Sequence, residues 1–290
     1  MAEAEIGVIG GTGLYQMEQL ADVEEVRLST PFGDPSDAFI VGTLAGRRVA
    51  FLPRHGRGHT MSPSEINYRA NIYAMKMLGV EWIIASSACG SFKEELSPGT
   101  IVLIDQFYDR TTARGDRKTF FEGGIVTHVQ FADPICAFLS DLLYGAAQQV
   151  GARVVKGGTY LNMEGPAFST RAESLVHKAW GIDVIGMTNL FEARLAREAE
   201  IHMATLALVT DYDCWHESHD DVDIEMVIRT VNENAEMFRR IVIEAVGRIP
   251  AEPLEDICST ALATAIFTRP EHIPAEAKQR LEAITGKYLK

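Results

Sequence analysis

Short apolar runs alternate along this chain with longer stretches whose apolar residues recur at helical spacing. The runs Ile6–Ile9, Ala38–Leu44, Val49–Leu52, Trp82–Ser86, Ile101–Asp105, Val154–Asn162, Val184–Met187 and Met203–Thr210 predict β-strands. Several are almost continuously apolar, the pattern of strands covered by helices on both faces. After Pro63, Ile66, Ala70, Tyr73 and Met77 recur at a helical period, with Ser64 as a candidate cap and Gly79 at the end. Helical patterns also run over 134–149, 171–180, 190–199, 222–247 and 275–287. Strand and helix alternate over the whole length without an internal repeat or low-complexity linker. The expected fold is therefore a single α/β domain over residues 1–290, a mixed and mostly parallel central sheet flanked by helices. Residues 250–290 are expected to form a C-terminal helical segment. In such sheets ligands bind beyond the carboxyl ends of strands, so the residues just after each strand carry the functional question.

Composition narrows the classes. The 290 residues are 47% hydrophobic and 23% charged, an ordinary globular balance. Lysine and arginine number 27 against 40 acidic residues, a net charge of −13 that repels phosphate backbones, so no nucleic-acid partner is expected. No apolar run approaches the roughly 18 residues of a spanning helix. The richest, Ile201 to Val209, is short and contains His202. The first residues are acidic where a signal peptide would be basic. Cys89, Cys136, Cys214 and Cys258 lie far apart with no C-x-x-C pair, which suits free thiols in a reducing cytoplasm. No membrane partner and a cytoplasmic location follow as expectations.

Five strand ends carry candidate chemistry. Gly10-Gly11-Thr12-Gly13 follows the first strand, and its amides and hydroxyl suit an anion or, alternatively, a simple tight turn. It matches neither a dinucleotide fingerprint nor a P-loop. Next, Arg54, His55, Arg57 and His59 place two arginines and two histidines within six positions, a local cationic spot in an acidic chain. Arginine forks fit phosphate oxygens. The H-x-x-x-H spacing would suit a metal only on a helix, which Gly56 and Gly58 oppose, and a solvated loop is the bland alternative. Ser87-Ala88-Cys89-Gly90-Ser91 offers hydroxyls and amides without a nucleophile elbow, and Cys89 reads as a small buried hydrophobe. Glu164-Gly165-Pro166-Ala167-Phe168-Ser169 joins a carboxylate to an aromatic ring, fit for a flat polyhydroxylated ligand or for a Gly-Pro turn with a core Phe. Asp211 and Asp213 close the last strand; at i and i+2 of extended chain they would point the same way. They suit a nitrogen-rich group, with one acid able to carry a proton. Trp215 rules out a calcium loop, and His216 with His219 reads as solvated loop before metal.

In this order the motifs Gly10-Gly11-Thr12-Gly13, Pro53-Arg54-His55-Gly56, Ser87-Ala88-Cys89-Gly90-Ser91, Glu164-Gly165-Pro166, Met187-Thr188 and Asp211-Tyr212-Asp213-Cys214-Trp215 resemble the trimeric purine nucleoside phosphorylase superfamily. More closely they resemble its branch acting on 5′-methylthioadenosine, over about residues 5–248. The resemblance implies a homotrimer, no metal, no cofactor, and inorganic phosphate as co-substrate attacking a purine nucleoside. It implies phosphate contacts from Thr12, Arg54, His55, Ser87, Ala88 and Thr188. Adenine would lie against Phe168 and Ser169 with Asp211 and Asp213 on its N7 and amino edge, and ribose near Met187. The 5′ group would meet Ile224, Val227 and Ile228, plus His128 from a neighbouring subunit. Core packing would also produce the helical spacing of those three apolar positions.

The chemistry is consistent with this. Breaking an N-glycosidic bond makes the sugar cationic, as in glycoside hydrolysis, while the departing purine gains negative charge. Protonating N7 relieves that charge, so Asp211 with a raised pKa is the expected general acid. A carboxylate pair favours the amino group of adenine over a 6-oxopurine. The alternatives are a 6-oxopurine or methylthioinosine phosphorylase and, in another class, a non-catalytic nucleoside-binding protein. Three departures from the family pattern stand out: Asn189-Leu190-Phe191 before Glu192 in place of a proline-bearing segment, Ser87 where Thr is common, and the acidic stretch from His216 to Asp223. They bear on whether 5′-deoxyadenosine or adenosine is also accepted.

Overall fold

In the computed structural model, residues 3–11, 18–112, 118–216, 224–251 and 254–289 are described. Eleven strands form one sheet: β1 Ile6–Gly10, β2 Ala21–Val26, β3 Phe39–Leu44, β4 Arg47–Pro53, β5 Trp82–Ser91, β6 Ile101–Leu103, β7 Gln106–Arg110, β8 Val154–Lys156, β9 Thr159–Met163, β10 Val184–Gly186 and β11 His202–Asp211. The helices are α1 Tyr68–Leu78, α2 Ala137–Gln149, α3 Arg171–Ala179, α4 Asn189–Glu198, α5 Ile224–Val246, α6 Ala275–Arg280 and α7 Glu282–Thr285. This is the expected α/β fold with a mixed sheet: β1 runs parallel to β4 and β5, and β5 parallel to β11, while β2–β3–β4 and the β5–β10 and β6–β11 pairs are antiparallel.

The central strands form because their residues are apolar on both faces. Every residue of β1 and β11 is buried, and β5 is buried except at one position. α1 begins where the Asn67 side chain accepts the Ala70 N–H at 3.2 Å and ends at Gly79, whose φ of 90° suits glycine. Asn67 therefore caps this helix in place of the expected Ser64. Thr170 and Glu173 form a reciprocal capping box that starts α3.

Several boundaries depart from the sequence pattern. β2 and β7 were not predicted: β2 is exposed and largely polar, and β7 is mostly exposed, with Phe107 alone half-buried against the core. The predicted strand Val154–Asn162 is two strands, split by Gly157 and Gly158 at φ of 88° and 151°. The expected single helix over 275–287 is two short helices meeting at Leu281, and residues 254–274 are mostly turns with a 3₁₀ turn at Pro270–His272. Among the described residues no helix is long and apolar enough to cross a membrane.

Candidate active site

Parallel pairing sets Gly10 beside Pro53, so Gly10-Gly11 and Arg54-His55 leave the sheet at the same edge. The Arg54 backbone N–H donates to the Gly10 carbonyl at 2.9 Å. Its side chain then reaches past β1 to β5, where Nη1 donates to the Ser86 carbonyl at 2.8 Å. The Glu192 carboxylate, on α4, takes the other side of the fork: Nε donates to Oε1, and Nη2 to Oε2 at 2.7 Å. Arg54 is 4% exposed and Glu192 not at all. Burial pulls the guanidinium pKa down, but the Glu192 charge and hydrogen bonds outweigh it, so Arg54 stays charged. An arginine has five N–H donors, and these bonds use three, leaving one on each terminal nitrogen for an oxyanion.

His55 sits beside it. Its Nδ1 is 2.8 Å from the Met61 carbonyl, and because a carbonyl only accepts, Nδ1 carries the proton and Nε2 a lone pair. Burial and the Arg54 charge push its pKa down to about 4, so the ring is neutral at pH 7. It stacks on His59 at 4.1 Å. Ser87 and Ala88 lie within β5, not in a loop beyond it as the sequence pattern predicted. Ala88 is the exposed position of that otherwise buried strand. The Ser87 hydroxyl is 2.9 Å from the Tyr160 hydroxyl, whose pKa burial pushes up to about 12. Thr188, buried, begins α4 without spending its side chain on the cap. Thr12 lies outside the described residues.

The second corner is acidic. Asp211 is the last residue of β11 and pairs with Gly90 of β5. Its Oδ1 accepts the Asp213 N–H at 2.7 Å, and its Oδ2 is 2.6 Å from the Thr210 hydroxyl. That hydroxyl has one proton and also faces the Cys89 carbonyl at 3.2 Å. A proton on Oδ2 of Asp211 satisfies all three groups at once. Burial raises the Asp211 pKa, and the Asp213 charge adds to it. Asp213 does not continue the strand, contrary to the extended i, i+2 geometry the sequence predicted. It turns at a φ of 52°, which folds its N–H back onto Asp211. The turn sets the Asp213 backbone against the Asp211 carboxyl and leaves the two acids near enough for the charge of one to raise the pKa of the other. Burial raises the Asp213 pKa too, against the pull of the Ser174 and Ser169 hydroxyls, yet its Oδ2 is buried without a hydrogen-bond partner.

Strand β5 fixes the distance between the corners. Ser87 and Gly90 are three residues apart, about 10 Å along a strand, a span that suits a sugar between an anion and a base. Gly90 is required there: a Cβ would stand 2.8 Å from Asp211 Oδ1 and 3.2 Å from the Asp213 nitrogen. Met187 follows β10, and its sulfur lies where a Cβ on Gly165 would come within 2.5 Å. Phe168 is 48% exposed, its ring open to stacking, and Ser169 lies close to Asp213. Glu164 holds the adjoining loops, accepting from the Ser64 hydroxyl at 3.1 Å and the Thr112 N–H at 2.8 Å. Ile224, Val227 and Ile228 fall on the first turns of α5, and their side chains lie outside the described residues. His128 is not joined to this cluster: it is exposed, with its ring against Phe267.

Three members of the site had no role in the sequence pattern. Glu192 braces Arg54, Tyr160 meets Ser87, and Asn162 Oδ1 accepts the Leu190 N–H at 3.2 Å at the start of α4. Gly186 admits Tyr160, since a Cβ would sit 1.8 Å from its hydroxyl. The available signals were weak: a lone acid near a helix start, and polar residues in an apolar strand.

The family model described as the phosphorylase superfamily matches residues 5–247. S-methyl-5′-thioadenosine phosphorylase of Geobacter sulfurreducens is 57% identical over 287 residues, covering 99% of this chain and all of the relative. A crystal structure of methylthioadenosine phosphorylase from an Antarctic soil metagenomic library superposes with a TM-score of 0.92 at 46% identity, covering 98% of this chain and 99% of the other. A variant of the adenosine/methylthioadenosine phosphorylase of Schistosoma mansoni, in complex with methylthioadenosine, gives a TM-score of 0.82 at 36% identity and covers 90% of this chain and 96% of the other.

Proposed function

The chain belongs to the phosphorylase superfamily, and we propose that it cleaves the N-glycosidic bond of 5′-methylthioadenosine with inorganic phosphate, yielding adenine and 5-methylthioribose 1-phosphate. It is a purine nucleoside phosphorylase-type pentosyltransferase. The observation that carries this is the placement of a buried, braced arginine and a buried carboxyl pair at two points of one strand, β5.

The chemistry follows from that spacing. Phosphate takes the two remaining Arg54 donors and the Ser87 and Thr188 hydroxyls beside the exposed Ala88, with Thr12 completing the set. Neutral His55 presents its Nε2 lone pair to a phosphate hydroxyl. As the glycosidic bond lengthens, the sugar becomes cationic and the anion beside it stabilises that charge. The purine collects the bonding electrons. Asp211, whose carboxyl burial pushes above its ordinary range, gives a proton to N7, and the unpaired Oδ2 of Asp213 accepts from the exocyclic amino group. Phosphate oxygen then bonds to C1′. A 6-oxopurine would set an acceptor against Asp213, which disfavours inosine. No cofactor enters the scheme.

The active form is a homotrimer in the cytoplasm, in which His128 of one chain reaches the 5′ group bound by its neighbour. An exposed His128 beside a 79% exposed Phe267 supports such a contact. The test is release of free base from methylthioadenosine, 5′-deoxyadenosine, adenosine and inosine, each with and without phosphate, alongside sedimentation. Phosphate-dependent adenine release, strongest with methylthioadenosine and extending to 5′-deoxyadenosine, is expected. Preferential hypoxanthine release, or binding of methylthioadenosine without cleavage, overturns the proposal.

A further inference from the structure

The carboxyl end of β11 serves the site above, and its opposite end holds a second cluster of ligating groups. Cys136, His202, Asp256 and Cys258 bring two sulfurs, a ring nitrogen and a carboxylate oxygen within 4.8 Å of one another. His202 opens β11 and Asp211 closes it, so about 30 Å of strand separates the two places. Cys136 caps α2, and Asp256 and Cys258 belong to the C-terminal segment. We propose that these four side chains form a structural zinc site that fastens the C-terminal segment to the sheet and to α2.

The donor set selects the ion. Two thiolates, an imidazole and a carboxylate suit zinc, and four protein ligands complete its tetrahedron without an open position, the mark of a structural site. Zinc bonds of about 2.0 Å to N or O and 2.3 Å to S put ligand atoms roughly 3.3–3.8 Å apart. The cluster needs to contract by an ångström or so.

The orientation of His202 supplies an independent reason. Its Nδ1 is 3.2 Å from the Glu81 carbonyl, which only accepts, so Nδ1 holds the proton. Nε2 then turns its lone pair toward Asp256 Oδ1 at 3.1 Å. Two acceptors face each other unless a cation or proton stands between them. The ring is stacked on Trp82 at 4.2 Å. An imidazole whose second nitrogen donates to a backbone carbonyl is the usual arrangement of a metal ligand.

N–H donors face both sulfurs, and a cationic side chain stands beside one of them. Cys136 Sγ accepts the Leu139 N–H at 3.4 Å at the start of α2. Cys258 Sγ accepts from Arg197 Nη2 at 3.8 Å, and Arg197 is itself fixed by the Gln130 and Asp133 carbonyls. Asp256 Oδ1 accepts the Cys258 N–H at 2.7 Å. Two thiolates, one carboxylate and Arg197 leave two negative charges in a largely buried place, which one divalent zinc neutralises. No metal expectation arises at these positions from the sequence, because the ligands come from three distant segments.

The test is metal analysis of the full-length, untagged chain, with zinc alone as the probe. About one zinc per chain is expected, and Cys136→Ser or Cys258→Ser should weaken binding at least about tenfold. At zinc about 100-fold above Kd, the melting temperature should rise by roughly 5 °C over the chelated protein. If the cysteine variants do not fold, cobalt in the wild-type chain should show a thiolate charge-transfer band and quench Trp82 emission. Three results overturn the proposal: no uptake of zinc or cobalt by the wild-type chain, zinc retained by both cysteine variants, or a Cys136–Cys258 disulfide in protein purified without reductant.

Discussion

Glu192→Gln separates the brace on Arg54 from the arginine itself. Glu192 is fully buried, holds Arg54 through both oxygens and receives the Asn189 side-chain amide at 3.1 Å. Glutamine keeps one accepting oxygen but sets an amide donor against a guanidinium N–H and leaves the arginine charge uncompensated. Breaking a buried pair in this way costs about 3–5 kcal/mol, and the retained acceptor places the change near about 3. For a chain of this length that is a fall of roughly 6 °C in melting temperature. Phosphate supplies the missing negative charge, so saturating phosphate should restore more of the melting temperature in the variant than it adds to the wild type. In initial-rate assays the KM for phosphate should rise about tenfold while the KM for methylthioadenosine moves less than about twofold. Replacing both partners by apolar residues, Arg54→Met with Glu192→Leu, should recover stability but not phosphate use. A fall below about 2 °C with an unchanged phosphate KM would refute the coupling of this pair to the anion site.

Asp211→Asn should lower kcat by about 10²–10⁴, the usual worth of a general acid. The acid acts while protonated, so wild-type activity should decline as pH rises through its raised pKa, and that limb should vanish in the variant; equal activity would remove the assigned role. Gly90→Ala should displace the carboxyl pair and cost up to about 10²-fold in kcat, read in the same assay, with a folded far-ultraviolet spectrum. Glu198 is buried against Thr119 and the Phe120 N–H, and its pKa rises from 4.5 to about 7. The folded state therefore holds its proton more tightly than the unfolded state. Stability should fall as pH rises across that window, by roughly 3 kcal/mol, and level off above it. Glu198→Gln should flatten the melting temperature between about pH 5 and pH 8; a slope equal to the wild type's would count against the buried acid.

The parts of the fold legible in the sequence are those whose signal is local. β1, β4 and β11 are apolar on both faces and bounded by turn residues, so their positions and the α/β class follow from the pattern. β2 and β7 were silent because a mostly exposed edge strand needs no continuous or alternating apolar run. Arg54, His55, Asp211 and Asp213 were visible because cationic and acidic groups at strand ends, in an acidic chain, have few other reasons to cluster. Their chemistry came from residue type.

Tertiary pairing decided what residue type leaves open. Glu192 lies 138 positions from Arg54, and only the packing of α4 against β11 and β5 makes one the counter-charge of the other. The raised pKa of Asp211 depends on burial, and its contact with Asp213 on a left-handed turn there that extended-chain geometry misplaces. Cys136, His202, Asp256 and Cys258 form no motif at all until α2, β11 and the C-terminal segment converge. Apolar periodicity and residue chemistry are properties of neighbouring positions, whereas distance, desolvation and charge compensation depend on which remote segments the sheet brings together.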